Sequence, residues 1–300
     1  MNGESSGPAV AVGSTAPLLA RPSEQATHAT APRIERTYRH RLFVRICHWL
    51  NVPVLFILIM SGLQIFNAHP ALYWGDRSDR DQALLSIAAG RTESGEIRGI
   101  TTILGHSFDT TGVLGYANGH TQGFPSWATI PGPRWLAMGR QWHLFFAWIF
   151  VVNGVLYATY AIARRHVTED LLPSRLDLTQ IPQSVKDHLL LRHATGVHAR
   201  RYNVLQKLAY LGIVFGLTPA IVLTGLTMSP TLDQAFPWLL DLFGGRQAAR
   251  TIHFLACAAF AGFIVVHLFQ VIATGLFNNL RSMVTGWYDV RHEGDPHETA

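Results

Sequence analysis

Four long stretches of this chain contain no Asp, Glu, Lys or Arg, and they limit the folds that it can adopt. They are residues 46–66, 141–163, 208–232 and 251–280. Each reaches the roughly 20 residues that a helix needs to cross the hydrocarbon core of a bilayer. Hydrophobic residues make up 48% of the 300 residues and charged residues only 14%, which is typical of a membrane protein. We therefore predict an all-α membrane protein with a bundle of four transmembrane helices, kinked at Pro53 and Pro219.

The basic residues are distributed unevenly around these stretches. Sixteen of the 24 Lys and Arg residues precede the first stretch, separate the second from the third or follow the fourth. The loops 67–140 and 229–250 hold the other eight. The positive-inside bias then predicts a multi-pass protein with both termini in the cytoplasm. The net charge of +5 is explained by this sidedness and by anionic lipid, so it indicates no nucleic-acid partner.

The sequence around the helices predicts the domain organisation. Residues 1–36 are expected to form a disordered cytoplasmic tail, because they are rich in Ala, Ser, Pro and Gly and lack the pattern of a cleaved signal peptide. The transmembrane domain is expected to cover 37–288, with a cytoplasmic loop at 164–202, and a cytoplasmic tail to cover 289–300.

The loop 67–140 has 74 residues, far more than a simple connection needs, and loops of this length usually carry function. Its stretch "SDRDQALLSI" could open a short helix capped by Ser78, whereas "SGEIRGITTI" could be half of a hairpin. Both alternatives stay open at this point. A docking surface for a partner and a cover over the bundle are equally compatible with the turns and aromatic residues that follow.

Four of the fifteen histidines lie inside the predicted spans: His48, His143, His253 and His267. The last two bound the run "HFLACAAFAGFIVVH" and are fourteen residues apart, so they share one helix face at a separation of about 21 Å along the axis. By the predicted topology, His48 lies at the depth of His267, near the cytoplasm. His143 lies at the depth of His253, near the opposite surface. The sequence therefore predicts two histidine pairs stacked across the membrane.

A pair of neutral imidazoles suits the two axial positions of a haem iron better than it suits a site for a bare metal ion. A structural zinc site needs four protein ligands, and neither pair has a nearby Asp, Glu or second Cys. The chain has no Cys-x-x-Cys-His motif, which excludes covalent c-type attachment. Cys47 and Cys257 are expected at opposite depths, so a disulfide between them is not expected. We predict two non-covalent, bis-histidine b-type haems.

Three glycines fall near the two predicted haem levels: Gly62, Gly212 and Gly225. They would give a flat porphyrin room beside the helix backbone. Glycines are also frequent wherever membrane helices pack closely, so the sequence leaves both interpretations open.

Several local patterns resemble one known family. They are "RICHWLN", "RQWHLFFAW", "YNVLQKLAY", "VLTGLTMSP" and the two-histidine run of the last helix. The chain resembles, over roughly residues 40–288, the di-haem cytochrome b subunits of nickel-iron hydrogenase, formate dehydrogenase and thiosulfate reductase. The loop sequence "GHSFDTTGVLG" is most similar to the thiosulfate-reductase-type branch.

The resemblance implies a function and a location. It implies a protein of the bacterial inner membrane that transfers electrons between the quinone pool and a periplasmic oxidoreductase of the molybdopterin type. His48 and His267 would ligate the cytoplasmic-side haem, and His143 and His253 the periplasmic-side haem. The stretch "YNVLQK" would border the quinone site, with Asn203 and Gln206 as candidate residues. No nucleotide-binding glycine motif and no iron–sulfur cysteine set is present, so the chain is expected to be a subunit rather than a complete enzyme.

Two other functions remain compatible with the sequence. One is a self-sufficient di-haem quinone oxidoreductase that uses a small oxidant such as superoxide. The other is a proton-coupled transporter in which the histidines form a relay. The long loop favours the electron-transfer subunit, because a small oxidant needs no docking platform.

Overall fold

The computed structural model describes residues 33–132, 134–165, 172–189 and 204–292. Within these ranges, four helices are long and apolar enough to cross a membrane, and we number them spans 1 to 4. Their bounds are Leu42–Phe66, Leu136–Ala163, Val204–Thr227 and Arg246–Ala273. Large apolar side chains such as Phe145 and Val265 point outward from them, as expected for a surface that lipid covers. The prediction of four helices that can span a membrane is confirmed.

The centre of the bundle is a small apolar core. Val54, Phe150 and Phe260 are buried there, from spans 1, 2 and 4, and Ile213 of span 3 packs against them. A buried amide adds a polar contact, because Asn153 of span 2 donates to the backbone carbonyl of Cys47, at 3.0 Å. Hydrogen bonds of this kind hold membrane helices together where no hydrophobic driving force exists between them.

Span 3 changes its winding close to a proline. It is α-helical over Val204–Leu211, π-helical over Gly212–Leu217 and α-helical again over Thr218–Thr227. Pro219 has no backbone N–H, so it cannot complete the α-helical hydrogen-bond pattern of the preceding turn. The hydroxyl of Thr218 donates instead to the carbonyl of Ile213, at 2.8 Å. Span 1, by contrast, is continuous through Pro53.

Between spans 1 and 2 the chain forms a folded unit, which we call the inter-span domain (residues 67–132). The strands of the protein are β1 (Arg33–Tyr38), β2 (Ala71–Leu72), β3 (Leu85–Arg91), β4 (Ile97–Ile103), β5 (His106–Asp109), β6 (Gly115–Ala117), β7 (His120–Gln122) and β8 (Trp287–His292). Strands β2 to β5 make one antiparallel sheet, and β6 pairs with β7. The β6–β7 hairpin turns at Asn118 and Gly119, both with positive φ, as a tight two-residue turn requires.

This domain corrects the prediction of an all-α protein. The stretch "SGEIRGITTI" supplies the turn and β4, so the hairpin alternative is the right one. The alternative of a helix capped by Ser78 is wrong. Only a single 3₁₀ turn forms, over Arg80–Gln82, and the side chain of Asp79 caps it.

Strands β1 and β8 pair antiparallel, so the two described ends of the chain lie on the same side of the bundle. Residues 33–36 and 289–292, which the sequence analysis assigns to tails, are therefore parts of a sheet. Short helices complete the described structure: Arg175–Thr179, Ile181–Leu189, Pro230–Ala235, Trp238–Phe243 and Leu276–Thr285. The rest of both predicted tails lies outside the described residues.

Candidate functional site

The four histidines of the spans meet as two pairs. The rings of His143 and His253 have their centres 6.3 Å apart, and those of His48 and His267 are 6.2 Å apart. His143 and His253 lie at the end of the bundle that carries the inter-span domain, and we call them the loop-side pair. His48 and His267 lie at the end that carries β1 and β8, and we call them the terminal-side pair.

The separation of the rings suits one metal ion between two imidazoles. With a metal–nitrogen distance of about 2.0 Å and a ring radius of about 1.1 Å, the two ring centres should lie about 6 Å apart. Among the described residues, no group of three or more His, Cys, Asp or Glu side chains is placed to hold a metal ion. Both thiols, Cys47 and Cys257, are free. A pair of imidazoles is therefore the ligand set available, and it matches the axial demand of a haem.

In the loop-side pair, the Nδ1 atoms of both rings hydrogen-bond to the neighbouring span. His143 Nδ1 lies 3.0 Å from the hydroxyl of Ser61 in span 1. His253 Nδ1 lies 2.9 Å from the carbonyl of Ile221 and 3.1 Å from the hydroxyl of Thr224, both in span 3. A carbonyl only accepts, so His253 carries its proton on Nδ1 and leaves the lone pair of Nε2 free for a metal.

Two glycines flank the same pair. A Cβ atom on Gly62 would lie 3.4 Å from Cε1 of His143, and one on Gly225 would lie 3.3 Å from Cε1 of His253. A cavity of about 300 Å³ lies beside the rings and is lined by both glycines and both histidines. Gly62 and Gly225 therefore lie against the imidazoles, whereas a Cβ on Gly212 would meet no atom within 4 Å.

The terminal-side pair has different surroundings. The ring of Phe263 stacks on His267 with centres 5.8 Å apart. Nδ1 of His48 and Nε of Arg45 are buried and have no hydrogen-bond partner among the described residues. His40 lies just before span 1, and burial lowers its pKa to about 4, with Arg39 adding to the effect. His40 is therefore neutral at pH 7 in the folded protein.

The inter-span domain is bound to the loop-side end of span 4. Arg250 donates to the carbonyls of Ala71, at 3.1 Å, and of His69, at 2.5 Å. The hydroxyl of Thr251 donates to the carbonyl of Tyr73, at 2.6 Å. In the first turn of span 4, the backbone N–H groups of Gln247 and Ala248 donate to the carbonyl of Gly75. These bonds attach the inter-span domain to the first turn of span 4, which precedes His253. The domain therefore covers this end of the bundle, which is one of the two alternatives given for the loop.

One of the two residues predicted for the quinone site lies among the described residues. Asn203 lies outside the described residues, and Gln206 lies in the first turn of span 3. The neighbouring Lys207 pairs with Asp177 at 2.9 Å, which fixes the short helix Arg175–Thr179 against this end of the span. The hydrogen bond from Lys207 holds the pKa of Asp177 below its usual value, so this carboxyl is ionised at neutral pH.

The family model of the prokaryotic cytochrome b561 proteins matches residues 39–286 of this chain. The chain belongs to the prokaryotic cytochrome b561 family. It is therefore a multi-pass membrane cytochrome b that binds b-type haem and takes part in electron transfer, and the predicted membership of a cytochrome b subunit family is confirmed. Among similar proteins is the putative protein-methionine-sulfoxide reductase subunit YedZ1 of Azospira oryzae. It is 28% identical over 234 residues, which cover 77% of this chain and 89% of that protein.

Three residues at the loop-side end of this cytochrome b were not predicted: Ser61, Thr224 and Arg250. A signal for the first two was present, because "SGL" at 61–63 and "TGL" at 224–226 place a hydroxyl residue before a glycine in two different spans. Arg250 gave no such signal, because its acceptors are backbone carbonyls, which any residue supplies.

Proposed function

We propose that this cytochrome b holds two haems, one between His48 and His267 and the other between His143 and His253, and transfers electrons across the membrane. The carrying observation is that two histidine pairs with nearly equal ring separations lie at opposite ends of one bundle. Along span 4, the fourteen residues from His253 to His267 correspond to about 21 Å. When bound, each haem supplies a one-electron redox centre.

The residues between the two pairs support this function. Val54, Phe150 and Phe260 form a buried apolar cluster between the two levels. Spans 1, 2 and 4 contain no Asp or Glu. No carboxylate of these spans therefore competes with the imidazoles as a metal ligand.

We propose that a redox partner docks on the inter-span domain. The domain lies beside the loop-side pair, and it exposes large aromatic side chains, with Trp127 78% and Trp74 62% exposed. The relative from Azospira oryzae is by its name a reductase subunit, which supports a function within a larger complex. The partner we propose is a periplasmic oxidoreductase of the molybdopterin type, which places the protein in the bacterial inner membrane with both termini in the cytoplasm.

We place quinone at the opposite end of the bundle. Gln206, and Asn203 three residues before it in the sequence, are the candidate donors to a quinone carbonyl. Gln206 lies near the first residue of span 3, whereas Thr224, which contacts His253, lies near the last residue, Thr227. The end of span 3 with Gln206 is therefore the end that carries the terminal-side pair. A quinone there would exchange protons on the cytoplasmic side while electrons cross to the other surface.

Isolation of the native complex tests this function. The full-length protein, carrying a C-terminal affinity tag, is extracted in a mild detergent from its own membranes. We expect it to retain a molybdenum-containing oxidoreductase, and to pass electrons from a water-soluble quinol to that partner. A purified chain that oxidises quinol with superoxide, at the same rate with and without any partner, would contradict the proposal and support the self-sufficient enzyme.

A further inference from the structure

The loop-side pair is held by two copies of one local arrangement. In span 1, Leu58, Ser61 and Gly62 lie at positions i, i+3 and i+4, and Ser61 and Gly62 contact His143. In span 3, Ile221, Thr224 and Gly225 have the same spacing and contact His253. In each copy the hydroxyl reaches Nδ1 of the ring and the glycine faces Cε1.

The hydroxyl groups determine which nitrogen carries the proton. Ser61 Oγ donates to the carbonyl of Leu58, at 3.3 Å, and Thr224 Oγ1 donates to the carbonyl of Ala220, at 2.6 Å. Since each hydroxyl has a single proton and gives it to its own helix, its oxygen can only accept from the imidazole. Nδ1 of each ring is therefore the protonated nitrogen, and Nε2 has the free lone pair.

The terminal-side pair lacks this arrangement on one of its rings. Nδ1 of His48 is buried and has no partner among the described residues. An imidazole whose second N–H donates to an acceptor is a more electron-rich metal ligand than one whose N–H has none. The two haem sites of the proposed function therefore differ in the basicity of their ligands.

We propose that Ser61 and Thr224 are positioning residues that lower the midpoint potential of the haem held by His143 and His253. This inference rests on the proposed function, because it requires both haems. By accepting from Nδ1, the two hydroxyls fix ring orientation and tautomer and increase the electron density that Nε2 offers. A more basic ligand stabilises the oxidised iron. In a protein that carries one electron, these contacts therefore favour its location on the haem of the terminal-side pair.

Potentiometric titration of the purified protein, followed by visible and EPR spectra, tests this inference. The variants are Ser61→Ala and Thr224→Val, with Ser61→Thr and Thr224→Ser as conservative replacements. The control is Thr227→Val, because Thr227 is equally buried one turn further along span 3 and its hydroxyl donates to the carbonyl of Thr224, at 2.7 Å. The haem that disappears in His253→Ala identifies the loop-side centre.

We expect Ser61→Ala to raise the midpoint potential of the loop-side haem and to move its low-spin EPR signal, while the other haem stays unchanged. Thr224→Val should give a rise of similar size, because one backbone carbonyl remains as an acceptor for each ring, Leu58 for His143 and Ile221 for His253. Ser61→Thr and Thr224→Ser should keep the wild-type potential of the loop-side haem, because each keeps a hydroxyl. Thr227→Val should also keep it.

Several outcomes would overturn the inference. Unchanged loop-side potentials in both Ser61→Ala and Thr224→Val, in a protein with two intact haems, would refute it and leave the proposed function standing. An equal shift in Thr227→Val would also refute it. If Ser61→Ala loses the loop-side haem, retention in Ser61→Thr supports the inference, and loss in both refutes it. A wild-type protein without two haems would refute the inference and the proposed function together.

Discussion

The rings of His48 and His267 lie 6.2 Å apart, although the two residues come from the first and the last spans of the chain. The two imidazoles therefore face each other across the interior of the bundle, at the end near the strands β1 and β8. The pairing of β1 with β8 on the same side is consistent with this arrangement, because it brings the start of span 1 and the chain after span 4 together. Terminal pairing and the histidine pair therefore support the same helix arrangement.

Gly225→Leu should remove the loop-side haem. A Cβ atom at this position would already lie 3.3 Å from the ring of His253, so a larger side chain must displace the imidazole. We expect the haem content per protein to fall by about half in a pyridine haemochrome assay, because one of the two proposed binding sites is lost. The matched control is Gly262→Leu, since a Cβ on Gly262 meets no atom within 4 Å. Equal haem content in both variants would contradict the prediction.

Arg250→Ala should release the segment 69–73 from the end of span 4. It removes two hydrogen bonds from a charged donor, each contributing about 1.5 to 3 kcal/mol. We expect faster amide hydrogen exchange in this segment, with exchange in span 2 unchanged. Arg98→Ala is the control, because the ion pairs of Arg98 with Glu96 and Asp109 lie at the exposed end of the sheet. If Arg98→Ala accelerates exchange in 69–73 as strongly as Arg250→Ala, the anchoring function of Arg250 is wrong.

Gln206→Leu and Asn203→Leu should slow the reduction of the haems by quinol without changing either haem spectrum. Each change removes a proposed donor to the quinone carbonyl, and losing about 1.4 kcal/mol of transition-state stabilisation corresponds to about a tenfold lower rate. Stopped-flow reduction by a water-soluble quinol measures the rate. Gln247→Leu is the control, because Gln247 lies in the first turn of span 4 at the loop-side end. Wild-type rates in both test variants would place the quinone site elsewhere.

The spans and the histidine pairing could be predicted because both follow from simple geometry. A stretch without charge that is long enough to cross a bilayer reveals itself in composition alone. His253 and His267 are fourteen residues apart, nearly four whole turns, so their common face does not depend on the tertiary structure. The depth of His48 and His143 then follows from the direction of their helices.

The inter-span domain was harder to predict because its structure depends on distant contacts. Phe66, Leu72 and Ile87 form a buried cluster against Phe254 of span 4, which no local pattern indicates. Short segments with glycines, such as the one around β4, are compatible with several structures until such contacts select one. The hydroxyl groups at Ser61 and Thr224 each precede a glycine, but this pattern does not identify their partners, because each partner histidine lies in another span.

The proposed two-haem arrangement is tested most directly by a redox titration of the four single ligand variants, with haem content measured on the same samples. We expect that wild-type protein contains two b-type haems, that His48→Ala and His267→Ala lose the same one, and that His143→Ala and His253→Ala lose the other. Loss of the same haem in His48→Ala and His253→Ala, or full haem content in any of the four variants, would contradict it.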